Sequence, residues 1–328
     1  MVRIEFQLLS DLHLETPHTR PIYHEFEVPR KAPYLALLGD IGHVKDSRLF
    51  DFLERQLEVF ELVFFVFGNH EAYGMTLPGA KATMEAFILG VETLRVTKPD
   101  IGKFILLDQD RFDISGSFTV LGCTLFSKIL PEQEGSVRLF VSDFSEIYSW
   151  TTDDHNSAHD SDVRWLNSQI EHLARNEPQR HIVIFTHYCP TLLAASSDPQ
   201  HLNDPAEVRS SFSTDLASEP CWISPQVKVW AFGHTHFNCD FLEPVSRKRL
   251  VTNQKGGKRN EALSFDVQKV IGIKRHPYPI RDERRAEEGL PQITTPDTGS
   301  NSNVVQTKQS FWKHSKNKKR SGSKCLTQ

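Results

Sequence analysis

Short apolar, strand-forming runs recur at residues 4–9, 34–38, 62–67, 181–186 and 227–232. Each is followed at once by a polar cluster. The clusters are Asp11-Leu12-His13, Gly39-Asp40, Gly68-Asn69-His70-Glu71, His187 and Gly233-His234-Thr235-His236. Between the runs the pattern turns helical. Ser47 can cap a helix through about Phe60, in which Phe50, Leu53, Leu57 and Phe60 recur at helical spacing. A second helix fills 78–94, and strands follow over 104–107 and 118–126. Asp153 or Asp154 caps a helix that reaches about Asn176 and stops before Pro178. Residues 191–225, rich in Ser, Asp and Pro, read as an excursion between two strands. Further strands are predicted over 237–242, 250–253 and 265–273.

The alternation predicts an α/β scaffold. Loops at the C-terminal ends of strands are where open α/β sheets place their sites. Past Ile273 apolar periodicity vanishes and Arg, Lys, Pro, Thr, Ser and Asn take over. The chain therefore divides into a folded domain, 1–273, and a tail, 274–328, whose composition predicts disorder. No internal repeat is visible.

Composition narrows the function classes. The net charge of −4 hides an asymmetry. The tail holds 12 Lys and Arg against 5 Asp and Glu, a balance of +7, and leaves −11 on the rest. An acidic core argues against a broad nucleic-acid surface on the folded domain. Five cysteines, at 123, 189, 221, 239 and 325, show no C-x-x-C spacing. That predicts neither a disulfide framework nor a thiolate zinc site, and points to a reducing, cytoplasmic compartment. The N-terminus runs straight into a strand, so no signal peptide is expected. No apolar stretch approaches the ~18–20 residues of a membrane span.

Asp, Asn and His are nitrogen and oxygen metal ligands, suited to Mn, Fe or Zn better than to Ca or Mg. The clusters supply enough donors for two divalent cations if one carboxylate bridges them. Two such ions roughly 3.5–4 Å apart would clamp a phosphoryl group. Taken singly, each cluster has a plainer reading. His187 could be a packed core histidine, Gly-Asp a turn, and Gly-Asn-His-Glu a helix cap. Their joint occurrence on five strand ends favours a metal site.

Taken in order, Ser10-Asp11-Leu12-His13, Gly39-Asp40, Gly68-Asn69-His70-Glu71, His187 and Gly233-His234-Thr235-His236 resemble the signature of calcineurin-like metallophosphoesterases. The resemblance covers about residues 1–273. It implies an αββα sandwich of two mixed sheets flanked by helices, with a binuclear site at the sheet edge. It gives Asp11, His13 and His236 to one metal, Asn69, His187 and His234 to the other, and Asp40 as the bridge. His70 would face the substrate and assist leaving-group departure, with hydroxide bridging the metals attacking phosphorus in line. A small phosphorylated substrate is the expected partner. The alternatives are a phosphodiesterase or nuclease of the same fold, or an inactive scaffold.

Departures from the family narrow it. Calcineurin-type protein Ser/Thr phosphatases carry Gly-Asp-x-Val-Asp-Arg-Gly and an Arg just before Gly-Asn-His-Glu. Here Gly39-Asp40-Ile41-Gly42-His43 and Phe67 stand in those places, which argues against that branch. Purple acid phosphatases need a Tyr three residues after the Asp, and His43 stands there. His43 is therefore a candidate for the substrate side of the site or for a bond to a neighbouring loop. His155, His159 and Asp162 share one helix face and predict either a polar wall of the substrate pocket or a solvated face. Asp215, Cys221, Trp222 and the stretch Thr252-Asn253-Gln254-Lys255-Gly256-Gly257 also resemble family features around the site, and Asn238 and Asn253, just after ligand strands, are candidates for polar contact with substrate, with structural turns as the default. The ending Cys325-Leu326-Thr327-Gln328, after the basic run Lys313–Arg320, fits a prenylation signal with a polybasic patch. That would give peripheral membrane contact through Cys325. A plain solvated tail and a nuclear-import or nucleic-acid-binding run are the competing readings.

Overall fold

The structure, a computed structural model, describes residues 2–198, 206–257 and 262–275. The predicted tail, with Cys325 and its basic run, lies outside them. Eleven strands are described: β1 Val2–Leu9, β2 Tyr34–Leu38, β3 Leu62–Val66, β4 Lys103–Leu106, β5 Asp110–Ser115, β6 Phe118–Cys123, β7 His181–Thr186, β8 Val227–Phe232, β9 Asp240–Leu242, β10 Arg249–Thr252 and β11 Val270–Arg275. They form two mixed sheets, in the orders β11-β1-β2-β3-β4 and β5-β6-β7-β8-β10-β9. Strands β1 to β4 run parallel, with β4 at the sheet edge, as do β6, β7, β8 and β10. Antiparallel strands close three of the four edges: β11 on β1, β5 on β6 and β9 on β10.

Alternation along the strands decides what each sheet face meets. Phe6, Leu8, Leu38, Phe64 and Val66 of one sheet share a core with Val183, Phe185, Val229 and Ala231 of the other. Phe6 is the hinge of that core. Its ring centroid lies 5.7 Å from Phe64 in its own sheet and 5.2 Å from Phe185 in the other. The opposite faces, with Leu35, Leu37, Phe65, Ile182 and Ile184, pack in the layer that holds the helices. Strands covered on both sides read as continuous apolar runs, which is why the sequence signal was strong.

Six α-helices are described: α1 Ser47–Leu57, α2 Leu77–Thr97, α3 Glu134–Phe140, α4 Asp143–Glu146, α5 Thr152–Asn176 and α6 Pro220–Ile223. The predicted caps shift by a residue or three. Asp46, rather than Ser47, caps α1, its carboxylate accepting from the Arg48 N–H. Thr151 caps α5, and Asp154 sits at its third position, closing a reciprocal capping box. The strand expected over 118–126 stops at Cys123, because Leu125 and Phe126 take left-handed backbone (φ 74° and 46°). The strand expected over 265–273 begins at Val270 and reaches Arg275, two residues past the predicted boundary. β5, α3, α4 and α6 were not predicted. None of the described helices is long and apolar enough to cross a membrane.

Candidate metal centre

The C-terminal ends of β1, β2 and β3 in one sheet meet those of β7 and β8 in the other. The strand ends are tied together directly. The His187 Nδ1–H donates to the Leu38 carbonyl at 2.8 Å, and the Gly233 N–H donates to the His187 carbonyl at 2.8 Å. Turning each chain sharply at its strand end requires unusual backbone. Asp11, His13, Asp40, His234 and His236 all hold positive φ, between 46° and 68°. Two glycines are fixed by close approach. A Cβ on Gly68 would lie 2.2 Å from Asp40 Oδ1, and one on Gly233 would lie 2.2 Å from Ser10 Oγ. No larger residue fits there.

All seven predicted ligand residues converge. On one side, His13 Nε2 lies 3.1 Å from His236 Nε2, and His236 Nε2 lies 3.4 Å from Asp11 Oδ1. On the other, His187 Nε2 lies 3.1 Å from Asn69 Oδ1, and donor atoms of Asp40, His187 and His234 lie within 4.8 Å of one another. Asp40 stands between the two sets. Its Oδ2 is 3.8 Å from His13 Nε2 and its Oδ1 is 3.5 Å from His187 Nε2.

The donors fit divalent ions. Ligands about 2.0–2.1 Å from one cation lie roughly 3–3.5 Å from each other, which is the spacing seen here. Two imidazole Nε2 atoms face one another, and the buried His234 Nε2 has no hydrogen-bond partner among the described residues. An orphaned buried nitrogen is costly unless something outside the chain satisfies it.

Supporting residues set which atom each ligand presents. The Leu38 carbonyl takes the His187 Nδ1–H, leaving Nε2 for a metal. Glu15 does the same for His13, with Oε1 3.1 Å from His13 Nδ1. That same oxygen lies 3.3 Å from His70 Nδ1 and 3.9 Å from His43 Nε2. Burial alone would raise the Glu15 carboxyl, but its hydrogen bonds to His13 and His70 outweigh that and hold it near about 2. Glu71, fully buried, accepts the N–H groups of Gly68, Asp40 and Ile41 at 2.7–2.9 Å and so joins two ligand loops. Gln254 accepts the His236 N–H and donates to the Phe237 carbonyl. Asp143, on α4, accepts from Asn69, Tyr73 and Tyr188. Glu15, Asp143 and Tyr188 were not singled out from the sequence, whereas Gln254 lies in the stretch 252–257 that resembles family features.

His70 stands apart from the ligand sets. Its Nε2 is 3.9 Å from Asp40 Oδ2, its ring stacks on Tyr73 at 4.1 Å, and its side chain is 27% exposed. Burial works against its charge, but the Asp40 charge and the Glu15 hydrogen bond outweigh it and raise His70 to about 9. His43 packs beside it, 6.3 Å between ring centroids, with its N–H donated by the backbone to the Tyr23 hydroxyl. Burial lowers the His43 imidazole to about 4, so it stays neutral at ordinary pH.

The face formed by His155, His159 and Asp162 is neither solvated nor open to the site, and both readings of it are corrected. His155 is fully buried among Phe126, Trp150 and Tyr188, and its Nε2 accepts the Ser127 N–H at 3.2 Å. The His159 Nδ1–H donates to the Leu125 carbonyl, and Asp162 accepts the Leu125 N–H at 2.7 Å. This face clamps the left-handed turn after β6. His159 gives only a 5%-exposed edge to a cavity of about 360 Å³ whose lining includes none of the converging ligands. Asn253 and Asn238 are likewise structural: Asn253 donates to the Leu8 and Asp266 carbonyls, and Asn238 to those of Gln254 and Leu263.

Comparison with known proteins places this arrangement. The chain is 24% identical over 267 residues to uncharacterized protein L509 of Acanthamoeba polyphaga mimivirus, covering 76% of this chain and 89% of that one. Its fold is similar to that of the phosphopantetheinyl hydrolase from Mycobacterium tuberculosis, with a TM-score of 0.57 at 12% identity over 84% of this chain and 97% of that one. The family model for calcineurin-like phosphoesterases matches residues 6–238, a span that holds all five strand-end clusters. The chain belongs to the calcineurin-like phosphoesterases, and its chemistry is phosphate-ester hydrolysis at a metal site.

Proposed function

We propose that this chain hydrolyses a small phosphorylated substrate with the help of two divalent cations, drawn from Mn, Fe and Zn. Asp11, His13 and His236 would hold one cation and Asn69, His187 and His234 the other, with Asp40 shared between the two sets. The observation that carries the reading is Asp40 itself. Each of its two carboxylate oxygens faces a different donor set, at 3.5 and 3.8 Å from the nearest histidine nitrogen. When bound, such a pair of ions neutralises charge on the phosphoryl oxygens and lowers the pKa of water at the site.

The chain's own residues do the rest. Asp40 fixes the spacing of the two donor sets. His70 presents Nε2 to the partly open mouth, where it donates a proton to the departing oxygen. Glu15 and Tyr73 hold the His70 ring from its Nδ1 edge and from its face. The substrate's phosphate meets no arginine from the motif positions used by protein phosphatases, since Val44 and Phe67 occupy them. That supports a small-molecule ester over a phosphoprotein.

The test is hydrolysis of a phosphomonoester and a phosphodiester panel with added Mn²⁺, with a phosphopantetheinyl compound, the group named for the mycobacterial neighbour, among the diesters. Asp40→Asn is expected to abolish turnover on every substrate. Wild-type turnover in that variant would remove the bridging role. Turnover restricted to diesters would move the reading to a phosphodiesterase.

A further inference from the structure

Asn69 differs from the other converging ligands. Its amide has two nearly isosteric ends, and only the oxygen can bind a cation. Something must decide which end faces the site. The amide nitrogen, Nδ2, donates to Asp143 Oδ1 at 2.7 Å, while Oδ1 faces His187 Nε2 at 3.1 Å. Asp143 is 1% exposed and sits on α4, 74 residues away in sequence. A carboxylate only accepts hydrogen bonds, so it selects the NH₂ end of the amide and leaves the oxygen for the metal.

The same carboxylate holds two aromatic supports. Tyr73 donates its hydroxyl to Oδ1 at 2.7 Å, and Tyr188 donates to Oδ2 at 3.1 Å. Tyr73 is the ring on which His70 stacks, and Tyr188 lies 4.0 Å from the His234 ring. One buried group thus touches an amide ligand, the shelf under His70 and the shelf beside His234.

We infer that Asp143 is a positioning residue that fixes the orientation of the Asn69 amide and so sets the affinity of the cation on the Asn69, His187 and His234 side. This rests on the two-cation reading above.

The experiment is Mn²⁺ titration by calorimetry of metal-free wild type, Asp143→Asn, Asn69→Ala and the double variant, with circular dichroism as the folding control. In Asp143→Asn the neighbouring amide can donate as well as accept, so Asn69 is free to flip. One of two Mn²⁺ affinities is expected to fall roughly 10–100-fold, the usual effect of losing an outer hydrogen-bond partner, with the other unchanged. In the Asn69→Ala background Asp143→Asn should have no further effect on either affinity. Two wild-type affinities in Asp143→Asn, or an additional loss in the double variant, would overturn the inference while leaving the two-cation reading intact. A wild-type chain binding fewer than two ions overturns both. If Asp143→Asn does not fold, Tyr188→Phe removes a partner of Asp143 that does not touch Asn69, leaving the Tyr73 hydroxyl, which accepts from the Asn69 amide at 3.2 Å, in place. Both affinities should then hold, and loss of either would overturn the assignment.

Discussion

Five of the seven converging residues sit in left-handed backbone, at about 1–2 kcal/mol each for side chains that carry a Cβ. A fold tolerates such strain where surrounding contacts over-determine it, and such residues cluster at functional sites. The contacts here are specific. Asp11 accepts the His234 N–H with both oxygens, at 3.1 Å, and Asp40 accepts the His70 N–H at 2.9 Å. Glu15 matters at the same scale, because one oxygen serves both a ligand histidine and the histidine facing the mouth. Glu15→Gln removes the charge but keeps the shape. At saturating Mn²⁺ its kcat/KM is expected to fall roughly 10–100-fold. A wild-type value in steady-state kinetics would show that neither His13 nor His70 depends on it. The seven converging donor residues were legible in sequence because each follows a strand-forming run. Glu15 and Asp143 were not. Glu15's contact with His70 spans 55 residues and Asp143's with Asn69 spans 74, and α4 is too short to carry a periodicity.

At the scale of elements, parallel strands ending on one rim gather residues that are far apart in the chain. α5 contributes indirectly. Its buried face holds the turn after β6, and His155 and Tyr188 pack between that turn and His234. Helix periodicity put His155, His159 and Asp162 on one face correctly. It could not say what covers that face, since the covering turn depends on the left-handed Leu125 and Phe126. Asp162 gives the element a measurable signature. Burial is the main cause that raises its carboxyl, to about 7. Folded protein then binds the proton more tightly than unfolded chain, so stability is fully present below about pH 4 and declines as pH rises through about 7. Asp162→Asn abolishes that titration. The Tm of the variant relative to wild type is expected to rise between pH 5 and pH 8. Parallel Tm curves across that range would show that Asp162 is ionised in the folded protein.

At the scale of the molecule, two mixed sheets share one apolar core, and the rim where their parallel strands end is the site. The edge strand β11 completes the first sheet by pairing along β1 from Val2↔Arg275 to Gln7↔Val270, so the last described residues belong to the same unit as the first ligands. The charge balance of the sequence fits a site for small anions held by metal better than a broad polyanion surface. Fold class and the set of converging donor residues were readable because both follow from repeated local patterns. Which outer groups orient them was not, because that depends on where loops meet. A two-cation centre can be counted directly by elemental analysis. Metal-free protein reloaded with Mn, Fe or Zn and then desalted should carry two ions per chain, and Asp40→Asn should carry fewer than one. One ion or none in the wild type, or two retained in Asp40→Asn, would contradict it.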